Sequence, residues 1–408
     1  ASTHNITAKY SMETVSAREA DCFTTVSEIT AVEAKNFLGR APDVITTNGL
    51  DMEHIPDLAQ DRTPALHARE KLLAAASRFL RKDISPATKI MVISGRYEFH
   101  NKGIDVFLNA LGRLEHEAAA GDPVLAFLLV LGGHTDLIPL LQGDQMKPDQ
   151  GNAPIATHRL HYEASDPILQ TCNRLGLKNS VQNRINIIFI PAYLNGHDGF
   201  LDMTYYEALS GCDLAVFPSY YEPWGYTPLE SAAYALPTVT TDQAGFGLWV
   251  QNRFGENKGV MLPKRRGQPA AVIEDHLHGI LRDFLTWSDQ ERDERRKEAR
   301  KVAVQSNWRE FYKLYLKAYD RALAVAASRA EHLAVEMETP DKQTFTGAIS
   351  TQPHFRTFTA IANLPEKIGR LRELAYNLWW SWNPKARELF VSLDPNLWTQ
   401  MGNNPVRM

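Results

Sequence analysis

A chain of 408 residues has room for two or three domains, and 44% hydrophobic with 23% charged residues is the make-up of a soluble globular protein. Its 44 Lys and Arg against 48 Asp and Glu leave a formal charge of -4, so there is no electrostatic case for nucleic acid or an anionic membrane as main partner. The longest apolar run, Val124–Leu131, falls far short of the ~20 residues of a membrane helix. Three widely spaced cysteines (Cys22, Cys172, Cys212) argue against a disulfide framework or a zinc cluster, and a cytoplasmic protein is expected.

In chain order, residues 22–26 read as a short buried strand, and Thr30-Ala-Val-Glu33 as a capping box opening a helix to about Leu38. Asn48-Gly49 marks a turn, followed by a polar hinge to about Pro64. Helices and strands then alternate. A helix is predicted at 66–81, a strand at 89–94, a helix from Gly103 to Glu117 and the strand Val124–Leu131. Residues 132–163 read as loop. The alternation resumes with a helix at 166–176, a strand at 185–190, a helix at 203–210, a strand at 213–218 and a helix from Thr227, with short β runs near 238–241 and 259–262. Continuous rather than alternating apolar strands, separated by helices, predict a doubly wound α/β domain with a parallel sheet covered on both faces. Residues 269–328 then read as helical, 329–356 as a linker, and the stretch from 364 as helical and tryptophan-rich. The interleaved charges of Arg292–Lys301 suggest a solvated helix face. The opening Ala1 and the late aromatic block both suggest a chain cut at its ends.

Ligands of an open parallel sheet bind beyond the carboxyl ends of its strands. Two loops there carry chemistry. Ser219-Tyr-Tyr-Glu-Pro-Trp-Gly-Tyr-Thr-Pro-Leu-Glu230 offers Thr227 as a helix cap, Pro228 at the first helical position and Glu230 as the closing carboxylate of a capping box. The backbone N–H groups at that helix start suit an anion such as a diphosphate, and Glu222 is left free for sugar hydroxyls. The bland alternative is that Glu230 only caps and the aromatics only pack. The second loop, Gly95-Arg-Tyr-Glu-Phe-His-Asn-Lys-Gly103, could aim Arg96 and Lys102 at one pyrophosphate without a metal; the alternative is two solvated surface cations. Tyr205 or Tyr206 could stack on a base. The histidines lack ligand spacing, and neither a P-loop nor a Gly-x-Ser-x-Gly elbow occurs.

These stretches resemble the animal-and-fungal type of glycogen synthase over residues 8–328. The match is carried by Phe23-Thr-Thr-Val-Ser-Glu-Ile-Thr-Ala31, Asn48-Gly-Leu50, Gly95-Arg-Tyr-Glu98, Asn101-Lys-Gly103, Val216-Phe-Pro-Ser-Tyr-Tyr-Glu-Pro-Trp-Gly-Tyr-Thr-Pro228, Thr240-Thr241 and Gly245-Phe-Gly247. The resemblance implies a retaining, metal-independent UDP-glucose transferase of the two-Rossmann (B-type) fold, acting on the 4-hydroxyl of an α-1,4-glucan. Arg96 and Lys102 would hold the diphosphate, Glu222 the glucose and Glu230 the ribose. Tyr205 would stack on uracil, and the backbone of Trp224, Gly225, Tyr226 and Thr227 would line the pocket. Residues 1–50 would be the tail of an acceptor-side domain and 51–328 the donor domain. The donor half alone is therefore expected to be inactive. No cofactor is implied, self-association is left open, and acids interspersed at 291–301 argue against glucose 6-phosphate control.

The stretch Leu364-Pro-Glu-Lys-Ile-Gly-Arg-Leu-Arg-Glu-Leu-Ala-Tyr-Asn-Leu-Trp-Trp-Ser-Trp-Asn-Pro384 resembles instead the start of bacterial α-glucan phosphorylases, so 357–408 would open a fused phosphorylase whose pyridoxal phosphate site lies further on. Two other readings are weighed. One is a sucrose- or trehalose-phosphate-type transferase, against which the Tyr-Glu-Pro-Trp-Gly-Tyr loop speaks. The other is a non-catalytic glucan- or nucleotide-binding module, whose mark would be loss of Glu222 or Lys102.

Overall fold

The structure, a computed structural model, describes residues 6–117, 123–138 and 152–337. The expected aromatic module at 357–408 lies outside them, as does the middle of the expected loop at 132–163. The chain divides into two compact units, Ala1–Leu323 and Ala324–Met408. The first holds both candidate loops.

It opens with α1 (Thr7–Glu19), β1 (Thr24–Thr25), α2 (Glu28–Leu38) and β2 (Val44–Ile45), in which β1 and β2 pair in parallel. Then follow α3 (Thr63–Leu80), β3 (Lys89–Arg96), α4 (Ile104–His116), β4 (Val124–Leu131), β5 (His134–Leu137), β6 (His158–Leu160), α5 (Pro167–Arg174) and β7 (Ile185–Ile190). The chain continues through α6 (Tyr205–Ser210), β8 (Leu214–Val216), α7 (Tyr226–Ala233), β9 (Thr238–Val239), α8 (Gly245–Phe254), β10 (Val260–Met261), α9 (Ala270–Thr286), α10 (Asp289–Gln305) and α11 (Trp308–Met337).

Six strands form one parallel sheet in the order β7-β4-β3-β8-β9-β10. Lys89 stands opposite Val124, Val124 opposite Ile185, and Met91 opposite Leu214. Every residue of β7, and every residue of β4 but its last, is buried. Neighbours along a strand face opposite sides, so helices cover both faces. The chain runs outward from β3 through β4 to β7, then returns to β8 and runs the other way. That reversal between β3 and β8 is the topological switch point of a doubly wound sheet.

Phe79, Phe107, Phe127 and Phe189 are fully buried in the main core, each worth about 1.5–3 kcal/mol relative to exposure. A second cluster lies around the β8–α7 loop and joins Trp224, Leu229, Phe246, Val302 and Phe311. The buried Asp213, just before β8, accepts from Arg69 Nη1 at 2.6 Å and from the Ile90 backbone N–H at 2.9 Å, which ties α3 to β3 and β8. Breaking such a buried pair costs about 3–5 kcal/mol.

Four expectations change. The cap of α2 is Ser27, which exchanges hydrogen bonds with Thr30, so the helix starts earlier and Glu33 has no capping duty. Within the expected loop at 132–163, β5 and β6 pair antiparallel. The charged run at 292–301 is not simply a solvated face. Arg296 lies 3.7 Å from Asp213, and Arg300 donates to the carbonyls of Ile55 and Ala233. Residues 292, 296 and 300 recur at helical spacing and turn inward, leaving Lys297 and Lys301 exposed. The last helix also runs to Met337, into the stretch read as linker.

Candidate active site

The loops after β3 and β8 leave the sheet on either side of the switch point, where a crevice forms because neighbouring connections diverge. They are fastened to one another. Gly103 caps α4 with φ 68°, and a Cβ there would lie 2.2 Å from the Pro218 carbonyl oxygen. Only glycine permits that approach. The Tyr220 backbone N–H donates to the Asn101 carbonyl at 2.7 Å. The loop after β9 closes in from the other side. Thr241 Oγ1 donates to the Ser219 carbonyl at 2.9 Å, and the Glu222 N–H donates to the Gln243 carbonyl at 3.1 Å.

This framework brings Lys102 and Glu222 into an ion pair, both side chains only 13% exposed. Glu222 is thus engaged rather than free. Arg96 is 75% exposed and pairs with Glu98 at 2.8 Å. The two cations therefore hold separate carboxylates instead of converging on one group. Each carboxylate compensates the charge that an incoming anion would otherwise meet.

The helix start differs from the expected capping box. α7 begins at Tyr226, with Gly225 as its N-cap at φ 102° and no side-chain cap. Thr227 lies inside the first turn, so the N–H groups of Tyr226 and Thr227 have no acceptor within the helix. They face outward at the positive end of the helix. Trp224 packs: its side chain is 3% exposed and meets Phe246 and Phe311 edge-on, both at 6.0 Å.

Released from capping, Glu230 accepts from Tyr206 Oη at 2.9 Å. Burial pushes the Glu230 carboxyl above its ordinary value, and the Tyr206 hydrogen bond opposes that shift. Tyr206 stacks on Tyr234 with centroids 5.2 Å apart and planes 6° from parallel. Tyr205 is deeper and shares a hydrogen bond with Ser94 Oγ at 3.0 Å. Burial raises the proton affinity of both phenolates, which favours the neutral phenol on both rings.

Sequence reasoning missed Tyr221, which donates to Glu33 Oε2 at 2.7 Å and links the loop to α2. Its signal was its place beside Glu222, but nothing local names its partner. Among the described residues, no group of three or more His, Cys, Asp or Glu is placed to hold a metal ion, and no helix is long and apolar enough to cross a membrane.

Comparison with known proteins adds the following. A family model described as glycogen synthase matches residues 1–139 and 141–365. A second, described as a protein of unknown function, matches 364–408. The liver glycogen [starch] synthase of Homo sapiens is 31% identical, over 81% of this chain and 55% of its own. Glycogen [starch] synthase isoform 2 of Saccharomyces cerevisiae is 29% identical, over 77% and 55%. The chain thus spans about half the length of the curated relatives it matches. Among solved structures, Anabaena HepE in complex with UDP-glucose aligns with a TM-score of 0.49 at 17% identity, covering 79% of this chain and 70% of that one.

Proposed function

We propose a function from one premise: this chain belongs to the glycogen synthase family. It supplies the donor side of glucosyl transfer from UDP-glucose to the 4-hydroxyl of an α-1,4-glucan end, with retention at the sugar carbon. The observation that carries the proposal is the junction at the switch point. There the Lys102–Glu222 pair stands between loops that also present Arg96 and the uncapped first turn of α7.

In this reading the diphosphate draws Lys102 and Arg96 away from their carboxylates and takes the N–H groups of Tyr226 and Thr227. The negative charge that builds up on the leaving UDP is then met by two cations and a helix dipole, without a metal. Glu222, released from Lys102, accepts hydrogen bonds from glucose hydroxyls. Glu230 accepts from the ribose, and the ring of Tyr205 packs on uracil. The backbone from Trp224 to Thr227 lines the pocket. Because the 408 residues match about half of each relative, we further propose that they bind donor without elongating glycogen alone. The segment 357–408 we read as the opening of an α-glucan phosphorylase, on the strength of Leu364–Pro384, which would join synthesis and breakdown of one polymer in one polypeptide.

The test is titration of the chain with UDP in the presence of a chelator. A charge-assisted hydrogen bond to phosphate is worth roughly 1.5–3 kcal/mol, so Arg96→Ala and Lys102→Ala should each weaken UDP about ten- to a hundredfold. Unchanged affinity in both variants overturns the assignment.

A further inference from the structure

We infer that Tyr206 is a positioning residue for Glu230, and that it makes this carboxylate a one-sided acceptor for the donor's ribose. The inference rests on the proposed role of Glu230 and deepens it.

A carboxylate has two oxygens and can meet a diol with either or both. Here the Tyr206 phenol donates to Oε1, and among the described residues no hydrogen bond to Oε2 is made. The phenol cannot drift away. Its ring lies flat on Tyr234 and is flanked by Tyr205 at 5.1 Å, so three rings from two helices hold the hydroxyl in place. The carboxylate itself rides on α7, whose C-terminal end Arg300 grips through the Ala233 carbonyl. A vicinal diol presented to Glu230 therefore meets a carboxylate already engaged at Oε1, with Oε2 as its more open acceptor. Tyr206 is itself 41% exposed, so a ligand can approach beside it.

The arrangement also opposes the protonation that burial favours at Glu230. Its charged or titratable neighbours are Tyr205 and Tyr206 on α6, Tyr226 and Tyr234 at the ends of α7, and Arg300 on α10 beyond Tyr234. His67, Lys71 and Glu207 line the adjoining cleft with Tyr206 and Tyr234. Among these, Tyr206 is the group that donates directly to the carboxylate. Taking away its hydroxyl removes the interaction that holds the proton off Glu230.

Titration of UDP into the parent chain, Tyr206→Phe, Tyr234→Leu and Glu230→Gln, over about pH 5 to pH 8, tests this. Tyr206→Phe should bind UDP about three- to tenfold more weakly at pH 7.5, about one hydrogen bond's worth. Its loss of affinity on acidification should set in at a higher pH than in the parent. Protonation of UDP itself is common to all four chains and drops out of the difference. Tyr234→Leu, which loosens the phenol without removing it, should move the pH midpoint in the same direction but clearly less than Tyr206→Phe. A parental pH profile in Tyr206→Phe, or midpoints that move alike in Tyr206→Phe and Tyr234→Leu, overturns the inference while leaving the donor site intact. Parental UDP affinity in Glu230→Gln overturns instead the ribose role on which it rests.

Discussion

Glu222 and Glu230 stand on one continuous stretch of chain, yet the fold treats them in opposite ways. Glu222, in the loop, is compensated by a full positive charge on Lys102, which arrives from the neighbouring βα loop. Glu230, in the helix, is compensated only by the dipole of a phenol, and burial raises its proton affinity. The lesson concerns what each can give up. An ion pair between half-buried groups can be exchanged for an incoming anion on one side and a hydroxyl on the other, with total charge conserved. A carboxylate held by a neutral donor has no such exchange to make and serves as a fixed acceptor. Two identical side chains thus suit a changing and an unchanging part of a bound ligand.

Removing the charge of Glu222 tests this contrast most sharply. In Glu222→Gln, Lys102 no longer has a competing carboxylate, so UDP should bind at least as tightly as to the parent. The extra affinity of UDP-glucose over UDP should fall about three- to tenfold, as expected for one lost hydrogen bond to the sugar. Parallel titrations with the two ligands measure it; a weakened UDP affinity would show that Glu222 organises the loop and does not read the sugar.

A smaller effect is expected on stability from Glu230. Folding raises its pKa, so the ionised carboxylate opposes the fold at neutral pH. That penalty is present in full above the folded value and is relieved as pH falls through it toward the unfolded value of about 4.3. Glu230→Gln lacks the penalty. It should melt above the parent at pH 7, within the ~2–4 °C that 1 kcal/mol moves a large domain, and the gap should close on acidification. A gap that widens instead would mean that Glu230 is stabilised as a carboxylate.

The smallest effect belongs to Thr227. A capping threonine would cost about 0.5–2 kcal/mol on replacement by Ala, but here Gly225 holds the cap position and Thr227 lies within the helix. Denaturant unfolding of Thr227→Ala should stay within about 0.5 kcal/mol of the parent. A larger loss would restore the capping box and with it the packing-only view of Glu230.

Strand and helix order was legible along most of the described chain. Val124–Leu131 and Ile185–Ile190 announce themselves as uninterrupted apolar runs, and both became strands with those bounds. Helix starts were less legible, because several residues can compete for one cap. Thr30 and Glu33 fit the pattern, but Ser27 took the cap through its extended backbone, and the same competition misplaced the cap at Thr227. Both loops of the candidate site were also visible, since they follow strands and carry the charged and glycine residues that a ligand edge needs.

What the sequence determined by itself is therefore what local physics governs: apolar runs, helical periodicity and the set of residues in each loop. Only the tertiary structure decided partnership. Lys102 and Glu222 are 120 positions apart and meet because β3 and β8 lie side by side at the switch point. Tyr206 reaches Glu230 only because α6 and α7 lead into and out of β8. The inward turn of Arg296 and Arg300 follows from the packing of α10 on α7, not from its interleaved charges. Periodicity repeats within a few residues and can be read along a chain. A charge pair depends on which strands become neighbours, and that is settled by the burial of the whole sheet.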